Sequence, residues 1–212
     1  KDVSTDETLP NTTIEVYTEN DELIYSGKTD NEGKITIDRL PIGKYYFIEK
    51  EAPEGYLINE EKMYFEVKGE EIVKSTMKDE KITGKLEFTK VDFSEDNPLP
   101  NTLIEIYNAE NDELIFSGRT DENGSIIIEK IEYGKYYILE KEAPEGYELN
   151  PERMYFEIKE NGEVVKSIMK DKKIVKVPNT DATDYKELLF SGISLIVLGV
   201  GVIIYGKKKN KK

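Results

Sequence analysis

The 212-residue chain carries 44 Asp and Glu against 30 Lys and Arg, a formal net charge of −14, and contains neither Cys nor His. The missing residue types exclude disulfides, most transition-metal sites, Ser–His triads and Cys nucleophiles, and the acidity argues against a nucleic-acid partner, whose phosphates need clustered Lys and Arg. The length fits two small domains and a tail, and the interspersed Glu and Lys describe a solvated surface.

Read from the N-terminus, the chain repeats itself. LPNTTIEVY (9–17) returns as LPNTLIEIY (99–107), and NDELIYSGKTDNEGKITI (20–37) as NDELIFSGRTDENGSIII (111–128). EKEAPEGY (49–56) recurs unchanged at 140–147, MYFEV (63–67) becomes MYFEI (154–158), and VKSTMKDEKI (73–82) becomes VKSIMKDKKI (165–174). The offset drifts only from 90 to 92 residues, and a period of that size is a domain rather than a solenoid unit.

In the second copy seven apolar stretches read as strands: 85–91, 102–107, 113–118, 125–130, 135–141, 153–159 and 163–170. They are rich in Ile, Val, Tyr and Phe, and Gly, Asn, Asp and Pro separate them. DENG (121–124) and ENGE (160–163) supply hairpin turns. DNEG (30–33) and DENG lack the alternating acids and closing Glu of a calcium loop, so no metal or other cofactor is expected. NTT (11–13) and NGS (123–125) match glycosylation sequons, a weak signal. With no helical period, the expectation is an all-β chain: two tandem Ig-like, prealbumin-like β-sandwich domains over 1–82 and 83–174.

The tail differs. After a linker over 175–187, LLFSGISLIVLGVGVIIY (188–205) carries no charge. As a helix at about 1.5 Å per residue it spans roughly 27 Å, enough for a bilayer core. A buried core helix is the other reading, but no other element is suited to surround it. GKKKNKK (206–212) follows, and lysines directly after a hydrophobic span stay in the cytoplasm, placing the earlier residues outside. An outside location calls for a signal peptide, which these residues do not show. The chain is therefore expected to be the C-terminal piece of a longer precursor.

Side chains alternate faces along a strand. Lys90 falls on the apolar face with Leu86 and Phe88, Glu140 with Tyr136 and Ile138, and Asp171 with Val165, Ser167 and Met169. The first copy repeats two of these positions, Glu49 and Asp79. One reading leaves such strand-end charges at a wet rim, with Lys snorkelling. The other is chemical. Burial favours a neutral amine, which is a nucleophile, and a protonated carboxyl, whose hydroxyl can leave as water. A second carboxyl can shuttle the proton. The product is a Lys–Asp isopeptide bond between the first and last strands of the domain.

EFTKVD (87–92), YYILEKEAPEGY (136–147) and SIMKD (167–171), with YYFIEKEAPEGY (45–56) and STMKD (75–79), resemble the Cna B-type, or SpaA-like, domains of Gram-positive surface adhesins and pilins. The resemblance covers both repeats. It implies a spontaneous intramolecular isopeptide bond with Lys90 as nucleophile, Glu140 as proton shuttle and Asp171 as electrophile. In the first repeat Glu49 and Asp79 match. Aligning Asp2 with Asp92 puts the lysine position one residue before Lys1, so the first strand is expected to be truncated, with Lys1 as a substitute only under a one-residue shift.

KVPNTD (176–181), an apolar span and a basic tail in that order resemble a cell-wall sorting signal of the LPxTG type. The resemblance implies a motif of Val177, Pro178, Asn179, Thr180 and Asp181, cut after Thr180 by a sortase and joined to peptidoglycan. Val177 stands where Leu is usual and Asp181 where Gly is usual. Together these expectations describe the stalk of a cell-wall-anchored protein on a bacterial surface, anchored in the membrane through its C-terminal helix before sorting. It is not an enzyme beyond one self-directed turnover. The alternatives are a module that itself binds a host or matrix protein, and a pilin subunit, against which stands the absence of a Tyr-Pro-Lys-type lysine motif.

Overall fold

The computed structural model describes residues 1–175. The sorting motif, the apolar segment 188–205 and the basic tail lie outside the described residues. Lys1–Lys173 form one compact unit. Every regular element among the described residues is a β-strand.

In the first repeat, β1 (Thr13–Thr18), β2 (Leu23–Lys28), β3 (Gly43–Glu51) and β4 (Met63–Val67) make one antiparallel sheet in the order β2-β1-β3-β4. The β1–β2 turn needs a left-handed residue, and Asp21 supplies it at φ 61°, a conformation Asp tolerates through its short polar side chain.

The second repeat is a two-sheet sandwich. Its strands are β5 (Thr83–Asp92), β6 (Leu103–Asn108), β7 (Leu114–Arg119), β8 (Ser125–Glu132), β9 (Gly134–Glu142), β10 (Met154–Ile158) and β11 (Val164–Asp171). One sheet runs β10-β9-β6-β7 and the other β11-β5-β8. These are the seven strands expected from alternation, with ends differing by one or two residues. Leu86, Phe88, Ile104, Ile106, Ile138 and Ile158 fill the space between the sheets and are at most 1 % exposed. Each contributes roughly 1.5–3 kcal/mol relative to an exposed side chain. The first and last strands of the repeat, β5 and β11, lie parallel, with Met169 opposite Lys90 and Asp171 opposite Asp92.

The first repeat departs from the expected sandwich. Residues 34–40 and 70–78, the counterparts of β8 and β11, form no strands. In the second repeat both β8 and β11 pair with β5. Ile35, Ile37, Leu40 and Met77 nevertheless pack against the sheet through Ile14, Val16, Tyr45 and Val67.

Candidate functional site

β5 is buried at every second residue from Gly84 to Lys90. That alternation carries Lys90 inward after Leu86 and Phe88. β11 does the same for Ser167, Met169 and Asp171, and β9 for Tyr136, Ile138 and Glu140. The opposite face of β9 is also partly covered, since Tyr137 is buried and Leu139 half-buried. Lys90 and Asp171 come from one sheet and Glu140 from the other.

The three side chains meet. Each is fully shielded from solvent. Lys90 Nζ donates to Glu140 Oε2 at 3.2 Å and makes a close contact with Asp171 Oδ1. None of the three sits at a wet rim. An ion pair so far from water loses much of its hydration free energy and needs every remaining polar atom satisfied.

Glu140 Oε2 is held by a second donor, the Asn150 N–H at 2.7 Å. Glu140 Oε1 and Asp171 Oδ2 have no donor, although the two carboxyls lie within hydrogen-bonding reach of each other. A proton on either one joins them. Burial pushes the Glu140 carboxyl up. The Asn150 N–H pulls it down, the Asp171 carboxyl pushes it up again, and Lys90 pulls it down. With one shared proton the cluster has no net charge. The arrangement thus holds one amine and two carboxyl groups in contact and out of water.

The first repeat builds two thirds of this site. Glu49 and Asp79 are 4 % and 3 % exposed. Glu49 Oε2 accepts from the Asn59 N–H at 2.6 Å, while Glu49 Oε1 and Asp79 Oδ1 have no donor. Burial raises Glu49 to about 7, against the Asn59 N–H and with help from Asp79. Asp79 is raised as well, chiefly by burial. Lys1 does not join them. Its Nζ pairs with Asp6 at 2.6 Å on the surface. Asp2 bridges to Asp79 as Asp92 stands opposite Asp171. Asp2 Oδ1 accepts from Ser4 and Thr5 N–H as Asp92 Oδ1 does from Ser94 and Glu95. Lys1 is therefore in register with Val91 rather than Lys90, which rules out the one-residue shift.

Two supporting groups escaped the reading of the sequence. Asn59 and Asn150 stand ten positions after their glutamates, and their presence in both copies was the available signal. Gly124 is the other. Its carbonyl accepts from the Lys90 N–H at 2.8 Å, and a Cβ on it would lie 2.4 Å from the Lys90 carbonyl oxygen.

The family model of the SpaA prealbumin-like fold domain matches residues 1–81 and again 84–173. The chain belongs to this SpaA family. Among solved structures, the Bacillus anthracis TIE protein is similar at 45 % identity and a TM-score of 0.75, over 81 % of this chain and 33 % of that one. The chain thus spans about a third of that relative's length. The C-terminal fragment of the pilus adhesin SpaC from Lactobacillus rhamnosus GG shares the fold at 14 % identity and a TM-score of 0.58, over 79 % of this chain and 91 % of that one. No curated protein matches the chain. The buried Lys–Glu–Asp cluster thus belongs to the second of two SpaA modules, and the Glu49–Asp79 pair to the first.

Proposed function

We propose that this chain is the C-terminal stalk of a cell-wall-anchored surface protein, and that its second SpaA module closes a covalent bond on itself. The observation that carries the reading is the meeting of Lys90, Glu140 and Asp171 without solvent. Permanent contact provides the effective concentration that makes an unactivated carboxyl reactive. Lys90 Nζ, as the neutral amine, attacks Asp171 Cγ. The Glu140 carboxyl hydrogen-bonds the Asp171 carbonyl side and carries the amine's proton to the departing hydroxyl. A C–N bond forms, a C–O bond breaks, one water leaves, and Glu140 ends as it began. No cofactor or metal is used.

The bond ties the first strand of the module to the last, across 81 sequence positions. In the chain-entropy account such a closure stabilises by about 4.5 kcal/mol, in a protein that has no Cys for a disulfide. A tether under tension needs a covalent path that does not depend on the sheet. The proposed anchor is the motif Val177–Asp181, cut by a sortase after Thr180 and joined to peptidoglycan, with 188–205 holding the membrane until then. What supports this placement is the order of motif, uncharged span and lysine-rich tail in the sequence.

The test is the intact mass of the 212-residue chain beside Lys90→Ala. The wild type is expected to be lighter than its sequence mass by one water, with the variant at full mass. Digestion should yield one branched fragment holding Lys90 and Asp171. A wild type that keeps its full mass after long incubation overturns the bond.

A further inference from the structure

EKEAPEGY is identical in its two copies, yet the copies have different neighbours. In the first, Glu54 Oε1 accepts from the Tyr133 hydroxyl at 2.8 Å. Gly55, at φ 85°, lies against the same ring, so that a Cβ on it would be 3.4 Å away. Lys81 pairs with Glu132 at 2.9 Å. The Ile82 N–H donates to Gly55 O at 2.7 Å, and the Tyr133 N–H donates to Ile82 O at 2.9 Å. In the second copy, Gly146 has the same backbone, φ 87°, and its Cβ position meets nothing within 4 Å among the described residues.

We propose that the Pro53–Tyr56 turn is the plug of a specific joint, that Glu132–Tyr133 is its socket, and that the joint makes the two modules a single rigid body. Connected modules move freely when the residues between them can change φ and ψ without breaking bonds. Here the connector has no such residue. Lys81 is bridged to Tyr56, Ile82 is bonded through both its N–H and its carbonyl, and Thr83 already belongs to β5. The socket is equally constrained, because Tyr133 alone separates β8 from β9. One octapeptide thus does two jobs five positions apart: Glu49 faces the buried site and Glu54 faces the next module.

The plug fits a β-module edge that offers Glu followed by Tyr. The first repeat has Pro41 and Ile42 at those positions, with neither a carboxylate nor a hydroxyl, and Ile42 is 75 % exposed. Among the described residues the only Glu–Tyr socket is therefore already filled.

The duplication supplies its own control, since Glu54 and Glu145 are the same residue of the same turn. The chain lacks Cys, so spin labels can be placed at will through Lys44→Cys and Lys166→Cys, two exposed strand positions in different modules. Pulsed electron resonance on the full chain is expected to give one narrow distance between the labels. Glu54→Ala and Tyr133→Ala are expected to lose it to a broad distribution, while Glu145→Ala keeps it. A broad distribution in the parent chain, or Glu54→Ala indistinguishable from Glu145→Ala, overturns the joint. The result is independent of the Lys90 bond, whose presence or absence the intact mass of the same samples reports.

Discussion

Glu140 differs from the other charged residues of β9 only in the face it occupies. Lys141 and Glu142, its neighbours in sequence, are exposed, and their charges cost little in water. Glu140 shares its enclosure with one amine and one more carboxyl, and in the proposed reaction it carries the proton. Glu140→Gln is expected to leave the chain at full sequence mass for hours under conditions where the wild type loses water, because the amide cannot take up and return a proton. Mass spectrometry over a time course checks it. Glu49 carries a different prediction, one of pH. Its folded pKa is raised to about 7 from an ordinary 4.5, so between those values the folded state binds more protons than the unfolded one. Its contribution to stability is then complete below about pH 4.5 and lost as pH rises through about 7. The melting temperature of the wild type should fall relative to that of Glu49→Gln, whose amide stays neutral, as pH is raised from 4 to 8. A constant difference refutes it.

β5 is the element on which the second module depends. It bonds to β11 on one side and β8 on the other, and its inward residues supply both the centre of the core and the amine. Its position along the chain axis is fixed by the DENG turn, where Gly124, at φ 68°, presses its backbone onto that of Lys90. Gly124→Ala adds a left-handed strain and a contact too short for any Cβ. It is expected to lower the stability of the second module by about 1–3 kcal/mol, read as a shift of its denaturation midpoint, and to slow the loss of water by moving Nζ. The strands themselves were legible, because each has one buried face and hence a period of two. The missing second sheet of the first repeat was not. Residues 34–40 and 70–78 carry strand-like sequences yet form no strands, because pairing is a property of the neighbour and not of the segment itself.

For the molecule as a whole, the proposed bond and the joint act in series. The bond closes the second module between its ends, and the joint passes load from one module to the next. Comparison of the wild type with Glu140→Gln isolates the closure, since Lys90 and Asp171 both remain. Unfolding of the second module is expected to require about 4.5 kcal/mol more in the bonded chain, measured by chemical denaturation. At the other end, Thr180→Ala expressed in a Gram-positive host is expected to stay in the membrane fraction, while the wild type becomes covalently attached to peptidoglycan. Equal wall attachment of both would remove the sorting motif from the account.

The duplication, the all-β class and the inward faces of Lys90, Glu140 and Asp171 could be read from the sequence, because repetition and alternation are local patterns. So could Glu49 and Asp79, by identity with the second copy. What the sequence left open was whether the three charges reach a wet rim or one another. That depends on the spacing of two sheets and on the parallel register that sets Met169 against Lys90, which are relations between strands far apart in the chain. The tertiary structure alone decided it, and it alone set the turn of the first octapeptide against Tyr133, while the Cβ position of Gly146 in the second meets nothing within 4 Å among the described residues. Identical residues cannot encode that difference; it comes from what lies next to them.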